Sequence, residues 1–403
     1  MSNELSKRKI SVGDFILTDE DKQLILEICN SNRISEGKYV NLFEKEFANI
    51  IGTKHCTLVN SGTSALIVAL TALLYDDRYP KIKKGAKVLT TPLTYIATSN
   101  AIKLVGLKPV FVDINLDTFD INVDLIEELL KQSSDDYCMI LPVHLMGYPC
   151  DMDRINELAQ KYDLVIFEDA AQAHGTKYNG KNVGNLSLCA DYSFYTAHNI
   201  SCTEMGAVVT NDSILNTRIK QLKANGRMCS CKICTRMQGT CPYKDEESDP
   251  RFSHEYIGYN FKTTEFSAGL GYLQLQRFDS IIKKRLDNVK YLNDGLVGLR
   301  DFIKLPIYDE NVSYLAYPIV VNPDKVNRKW FMNKLAEYGI ESRPLFGCIP
   351  IQQPAYKEYK ELYNGKLPVA EYLGNNGMYI GCHQYLGQDD LDYVIEMFYK
   401  ILK

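Results

Sequence analysis

The chain alternates between two hydrophobic periods. Residues 20–30 and 40–50 carry apolar side chains at three-to-four spacing, the stripe of an amphipathic helix. Beyond them, short apolar runs alternate with helix-period segments. The runs predict strands at 57–59, 87–90, 109–113, 138–143 and 164–167, and the intervening segments predict helices at about 61–74, 95–104, 122–131 and 151–161. A strand without a polar face is covered on both sides. The fold class expected is therefore α/β, with a mainly parallel sheet between helix layers. Residues 226–253 break the pattern with cysteines, charges and almost no apolar periodicity. A loop this long inside a compact domain is functional or disordered. Regular structure is predicted again as helices at 266–279 and 280–297, a strand at 315–321, and helices near 328–338 and 389–402. Because 403 residues exceed one simple core, two domains are expected. A large one spans 1–279, including the 226–253 loop, and a smaller α+β one spans 280–403.

Composition narrows the class. Hydrophobic content of 45% and charged content of 24% are ordinary for a globular protein. A net charge of −4 provides no general attraction to nucleic acid or an anionic membrane. No apolar run approaches the roughly 20 residues of a membrane helix. The start lacks the apolar core of a signal peptide, so a cytoplasmic protein is expected.

The cysteines fall into two groups. Cys29, Cys56, Cys138, Cys150, Cys189, Cys202, Cys348 and Cys382 are scattered, mostly among apolar residues, and read as small buried hydrophobes. Cys229, Cys231, Cys234 and Cys241 lie together in the polar loop. Without a secretory signal, such spacing favours a metal over disulfides. Four thiolates suit zinc as well as an iron–sulfur cluster.

Further candidates sit where strands end. Ser61-Gly62-Thr63 opens a helix after a strand, where free N–H groups and hydroxyls suit a phosphate; a plain N-cap is the other reading. Asp169 ends an apolar strand, the ligand edge of an open α/β sheet. A carboxylate there can keep the pyridinium nitrogen of pyridoxal phosphate protonated, or merely cap the next turn. Tyr95 has a ring that can stack on a cofactor or fill a core. His198 follows the strand-like Asp191–Tyr195 in a turn, as a proton carrier or a hydrogen-bonded surface residue.

Taken in order, these motifs resemble a known family. They are Asn60-Ser61-Gly62-Thr63, Thr94-Tyr95, Pro142–Gly147, Glu168–Gly175, Ser193-Phe194-Tyr195 and Ile257–Phe261. The sequence resembles the DegT/DnrJ/StrS sugar aminotransferases, fold type I pyridoxal phosphate enzymes with a seven-stranded-type sheet and a smaller C-terminal domain. The resemblance implies that Gly62, Thr63 and Ser193 hold the cofactor phosphate. Tyr95 would stack on the ring, Asp169 would pair with its nitrogen, and Gln172 would lie near its hydroxyl. Asn260 would reach the neighbouring subunit's cofactor, which implies a homodimer. The family carries a lysine directly before Asn199, where this chain has His198. Imidazole cannot form the anchoring Schiff base, but it can move a proton near neutral pH.

That replacement resembles the 3-dehydrases of nucleotide-linked 4-keto-6-deoxy sugars. One branch has the histidine without a cluster. The other, the CDP-4-keto-6-deoxyglucose 3-dehydrase branch, adds a [2Fe–2S] cluster fed by a separate reductase. Gly226–Cys231 and Thr240-Cys241 resemble the second. Two departures stand out. Ala171 occupies the position of that branch's remaining cysteine ligand, leaving Cys234 or Cys202 as its substitute. Thr203-Glu204-Met205-Gly206 stands where Gly-Glu-Gly-Gly is usual.

The resemblance thus implies pyridoxamine 5′-phosphate (PMP), a nucleotide-sugar substrate, a [2Fe–2S] centre on Cys229, Cys231, Cys234 and Cys241, and a flavin/iron–sulfur reductase or flavodoxin as electron donor. The expected reaction removes the sugar's C3 hydroxyl, with His198 as base and Asp169 supporting the ring as electron sink. The rivals are a cluster-free dehydratase with a zinc-stiffened loop, a silent sugar-nucleotide-binding homologue, and an aminotransferase using another lysine.

Overall fold

The computed structural model describes residues 9–231 and 234–403. The main sheet holds seven strands: β1 (His55–Val59), β2 (Lys87–Thr90), β3 (Lys108–Phe111), β4 (Tyr137–Leu141), β5 (Val165–Asp169), β6 (Cys189–Ser193) and β7 (Gly206–Thr210). Their order is β1-β7-β6-β5-β4-β2-β3. β7 is antiparallel to both its neighbours, and every other pairing is parallel. The expected α/β class is thus found, in a mixed sheet. β4 and β7, apolar but for Thr210, are buried at every residue.

The helices preceding and crossing this sheet are α1 (Asp19–Asn30), α2 (Lys38–Ile51), α3 (Gly62–Leu74), α4 (Ala97–Leu104), α5 (Val123–Ser133), α6 (Met152–Tyr162), α7 (Ser213–Leu222), α8 (Glu265–Gln276) and α9 (Phe278–Leu296). β6 shows the cover on both faces. On one, Phe47 of α2 meets Tyr192 edge-on at 4.9 Å between ring centroids. On the other, Ser193 lies so close to Gly62 of α3 that a Cβ there would sit 2.6 Å from the serine's own. α3 is almost wholly buried, consistent with a sequence lacking a polar stripe.

A second, antiparallel sheet contains β8 (Ile303–Lys304), β9 (Tyr317–Val321), β10 (Ser342–Pro344) and β11 (Gly377–Ile380), in the order β8-β9-β11-β10. α10 (Arg328–Glu337), α11 (Pro368–Asn376) and α12 (Gln388–Leu402) accompany it.

Hydrophobic period alone missed β7, β8, β10, β11, α7 and α11. β7 is only five residues long and begins at a glycine, too short for a periodic signal. The start of α7 was nevertheless written in the chain: the Asp212 carboxylate accepts from the Ile214 and Leu215 amides as an N-cap. The helix expected at 266–279 ends at Gln276, with α9 following after Arg277.

The cysteine loop has a closed neck. The Asn225 amide donates to the Tyr259 carbonyl at 2.7 Å, Glu255 to Gly226 at 2.8 Å, and Met228 to Ser253 at 2.9 Å. Gly226 adopts φ +74°, and a Cβ on it would lie 1.9 Å from the Tyr256 carbonyl oxygen. Only glycine fits that crossing. Within the loop, the regular structure among the described residues is one turn of 3₁₀ helix, Arg236–Gln238.

Candidate active site

With β7 the exception, the strands of the main sheet point the same way, so their carboxyl ends share one edge. A cavity of about 970 Å³ opens there, the place an open α/β sheet offers a ligand. Its wall includes Gly62, Thr63, Tyr95, Asp169, Gln172, Ser193 and His198. Seven of the expected residues, six from four separate motifs and His198 from the turn after the last of these, therefore meet in one space. Asn260 is not part of that wall. It lies exposed on the chain leaving the loop neck, bridged to Ala224.

The phosphate-type corner is built by α3. Ser61 is extended, and its hydroxyl accepts from the Ser64 amide at 3.1 Å. It is thus an N-cap, as one reading held. That cap leaves the Gly62 and Thr63 amides in the first turn, whose donors a helix cannot satisfy itself. Ser193 fills the space that a side chain at Gly62 would take. This cradle of amides and hydroxyls suits an anionic group.

At the end of β5, two adjacent carboxylates face opposite sides of the sheet. Glu168 is fully buried. It accepts from His144 Nε2 at 3.1 Å, the Gly184 amide at 2.7 Å, the Leu186 amide at 3.0 Å and the Ser187 hydroxyl at 2.8 Å. Those bonds make Glu168 a structural anchor. Asp169 faces the cavity, accepting from Thr98 Oγ1 at 2.7 Å and the Ala171 amide at 3.2 Å. Burial raises its pKa, while those two donors pull the other way. The Ala171 bond is a local cap, so the capping and cavity readings of Asp169 both hold geometrically.

His198 sits in the turn after β6. Its Nδ1 lies 2.8 Å from the Ser193 carbonyl. A carbonyl only accepts, so Nδ1 carries the proton and Nε2 keeps its lone pair. Burial lowers the imidazole pKa to about 4, against the opposing pull of the Ser193 carbonyl. The ring is therefore a neutral base at physiological pH. Neighbours fix the turn. Asn199 donates to Ser313 Oγ at 2.7 Å and to the Tyr314 carbonyl at 3.2 Å. Arg285 of α9, itself buried, reaches the His198 carbonyl at 3.3 Å and the Leu315 carbonyl at 2.8 Å.

Tyr95 is 60% exposed and meets Phe346 edge-on, so the core reading of this residue is set aside. Gln172 Oε1 accepts from the Met146 amide at 3.1 Å. Arg343 lines the cavity and also pairs with Glu341 at 2.9 Å. Among the described residues lining the cavity there is no lysine.

The pattern of the DegT/DnrJ/EryC1/StrS aminotransferase family matches residues 16–399. The chain belongs to that family. It is 31% identical over 396 residues to the lipopolysaccharide biosynthesis protein RfbH of Salmonella typhimurium, spanning 95% of this chain and 89% of that protein. It is also 31% identical over 398 residues to a GDP-perosamine synthase of Caulobacter vibrioides, spanning 98% of each. The structure of Escherichia coli GDP-4-keto-6-deoxy-D-mannose-3-dehydratase with bound hydrated PLP superposes with a TM-score of 0.86 at 26% identity, spanning 98% of this chain and all of that one. This DegT/DnrJ/EryC1/StrS protein is therefore an enzyme of a family that holds both sugar aminotransferases and dehydratases.

The four-thiolate centre expected from the loop is not assembled. Among the described residues, no three His, Cys, Asp or Glu side chains come together as a metal site. Cys229 and Cys241 are buried, whereas Cys231 and Cys234 are exposed. Cys231 hydrogen-bonds Cys229 and feels Cys234, while Cys234 lies against the Arg251 guanidinium. The residues as placed fit a thiol pair rather than a tetrahedral set. Cys202 is no substitute. It is buried in the core with its pKa pushed up to about 12 by burial, so it holds its proton. Of the eight scattered cysteines, only Cys29 is exposed.

Sequence reasoning missed Asp191, a cavity residue one strand away from Asp169. The signal was available: Asp191 is two residues before Ser193 on β6, and residues two apart on a strand share a face. It also missed Arg328, Gln352 and Asn375, which reach the cavity from helix ends in the C-terminal third; the period that predicts the helix of Arg328 does not say what its first residue faces.

Proposed function

We propose that this enzyme removes the C3 hydroxyl of a nucleotide-linked 4-keto-6-deoxy sugar, using PMP as a dissociable cofactor. One observation carries the reading. The cavity presents an imidazole in the turn after β6, its Nδ1 held by the Ser193 carbonyl, and its described lining holds no lysine. A transaminase cycle anchored on the protein needs an amine there. An elimination needs only a base. The fit to the cofactor rests on the amide-and-hydroxyl cradle at Gly62, Thr63 and Ser193 and on the buried carboxylate of Asp169.

PMP would supply the amine that engages the sugar's keto group and the ring that accepts electrons. The protein's residues do the rest. Gly62, Thr63 and Ser193 bind the phosphate. Asp169 would keep the ring nitrogen protonated, and Gln172 and Tyr95 would help to hold the ring. His198 would take the proton whose removal starts the elimination, and the imidazolium so formed would return a proton to the departing C3 hydroxyl, which leaves as water. Asn260 reaches the site of a second copy of the chain, making the working unit a homodimer.

The test is incubation with PMP and a panel of 4-keto-6-deoxy nucleotide sugars, read by mass. The expected product has lost the C3 hydroxyl. His198→Asn should cut turnover by about 100-fold or more while PMP still binds. An amine delivered to C4 with the C3 hydroxyl intact would sink the reading.

The loop cysteines do not favour a reductive variant on a [2Fe–2S] cluster, because among the described residues Cys231 meets Cys229 without the other two thiols joining them. The two electrons that the sugar gains at C3 would then come from the aminomethyl carbon of PMP. Iron and acid-labile sulfide in near-equal amounts after anaerobic purification would overturn this and restore a cluster with its separate reductase.

A further inference from the structure

Asp191 is the least accommodated polar group in the cavity wall. It is wholly buried, and neither carboxyl oxygen has a hydrogen-bond partner. β6 places it opposite Asp169 on β5 and opposite Val208 on β7. Registered partners on adjacent strands project to the same face, so the two carboxyl groups stand side by side toward the cavity. Asp169 has two donors and Asp191 has none. Of the groups facing Asp191 across its two neighbouring strands, Val208 cannot titrate and Asp169 is the charge that acts on it. Burial, then the neighbouring Asp169, pushes the Asp191 pKa well up. Two adjoining carboxyls in a dry site hold one proton between them, and here it rests on Asp191. A buried acid without a partner is costly to keep. A ligand with a basic atom at this spot would relieve that cost.

Building on the PMP reading above, we propose that Asp191 is the second carboxyl of the ring-nitrogen site and delivers the proton that the nitrogen carries. The Asp191 O–H bond breaks, the ring N–H bond forms, and the electron pair of the broken bond stays on Asp191 as a carboxylate. The cationic ring then lies beside two carboxylates instead of one, and holds its proton to higher pH than Asp169 alone allows. Asp191 is the donor of the pair, and Asp169 is the partner that stays ionised.

The experiment is a pH titration of bound PMP, followed by ring absorbance, in the wild type and Asp191→Asn. Removing one carboxylate near the ring should lower the pH at which the nitrogen loses its proton by about 1–2 units. PMP should bind on the order of tenfold more weakly above that pH, since each unit is a factor of ten. A carbocyclic PMP analogue lacking the ring nitrogen should bind both proteins equally. Asp191→Val, matching its apolar neighbour Val208, should raise the melting temperature of the cofactor-free protein by about 2 °C. A residue kept only for structure would lower it. A wild type that binds PMP together with an unshifted Asp191→Asn curve overturns this inference alone. A wild type that does not bind PMP overturns the ring site itself, and this inference with it.

Discussion

Three carboxyl groups within two adjacent strands meet three fates. Glu168 has four donors, Asp169 two and Asp191 none. Identical chemistry thus becomes an anchor, a cavity carboxylate and a buried acid: the face of β5 separates Glu168 from Asp169, and the donors within reach separate Asp169 from Asp191 on the same face. His198 shows the same dependence on surroundings. Its folded pKa lies near 4 and its ordinary value near 6.5. The folded chain therefore binds fewer protons than the unfolded chain between those values. Its contribution to stability is complete above pH 6.5 and is lost as the pH falls through about 4. His198→Gln should flatten the acid side of the melting-temperature profile of the cofactor-free protein between these limits. Thermal denaturation at half-unit pH steps measures this, and an unchanged profile would remove burial as the cause.

Among the elements, the neck of the cysteine loop is the most tightly specified. Asn225, Gly226 and Met228 pair across to the segment 253–259, and the pairing passes over Gly226 in a left-handed conformation. Gly226→Ala would carry both the left-handed penalty and a collision with the Tyr256 carbonyl. Left-handed backbone alone costs about 1–2 kcal/mol, so the crossing must open. The expected result is faster proteolysis within 228–253 and a lower melting temperature. Cleavage at the wild-type rate would show that the neck tolerates a side chain. The motif Gly226–Cys231 was visible in the sequence, but the reason for its glycine was not. That reason is a carbonyl 30 residues away.

Across the whole molecule, the turn bearing His198 is clamped between the two sheets' territories. Asn199 and Arg285 tie it to the carbonyls of residues 313–315, which run into β9. The catalytic base we propose is thus placed by contacts from two parts of the chain. Asn260 lies exposed outside the cavity wall, and its proposed service to a second copy is open to test. Mixing inactive His198→Asn and Asn260→Ala proteins after subunit exchange should restore roughly a quarter of wild-type activity, because half the dimers are mixed and each has one intact site. No recovery would place Asn260 in the service of its own subunit.

The sequence by itself determined the elements with a long, clean period. α2, α3, α5 and the apolar strands β2 to β5 were legible because burial on one or two faces imposes a spacing that local composition must obey. It also determined which residues belong to the cavity wherever a motif ends a strand, as at Gly62, Asp169 and His198, since strand ends in a parallel sheet share one edge. Tertiary structure decided what depends on pairing between distant segments. The antiparallel insertion of β7, the convergence of Arg328 and Asn375 on the cavity and the scattering of the loop thiols have no local period. The juxtaposition of Asp169 with Asp191, 22 residues apart, exists only because β6 pairs with β5 in one register. Register is a property of two strands at once, and a single stretch of chain does not carry it.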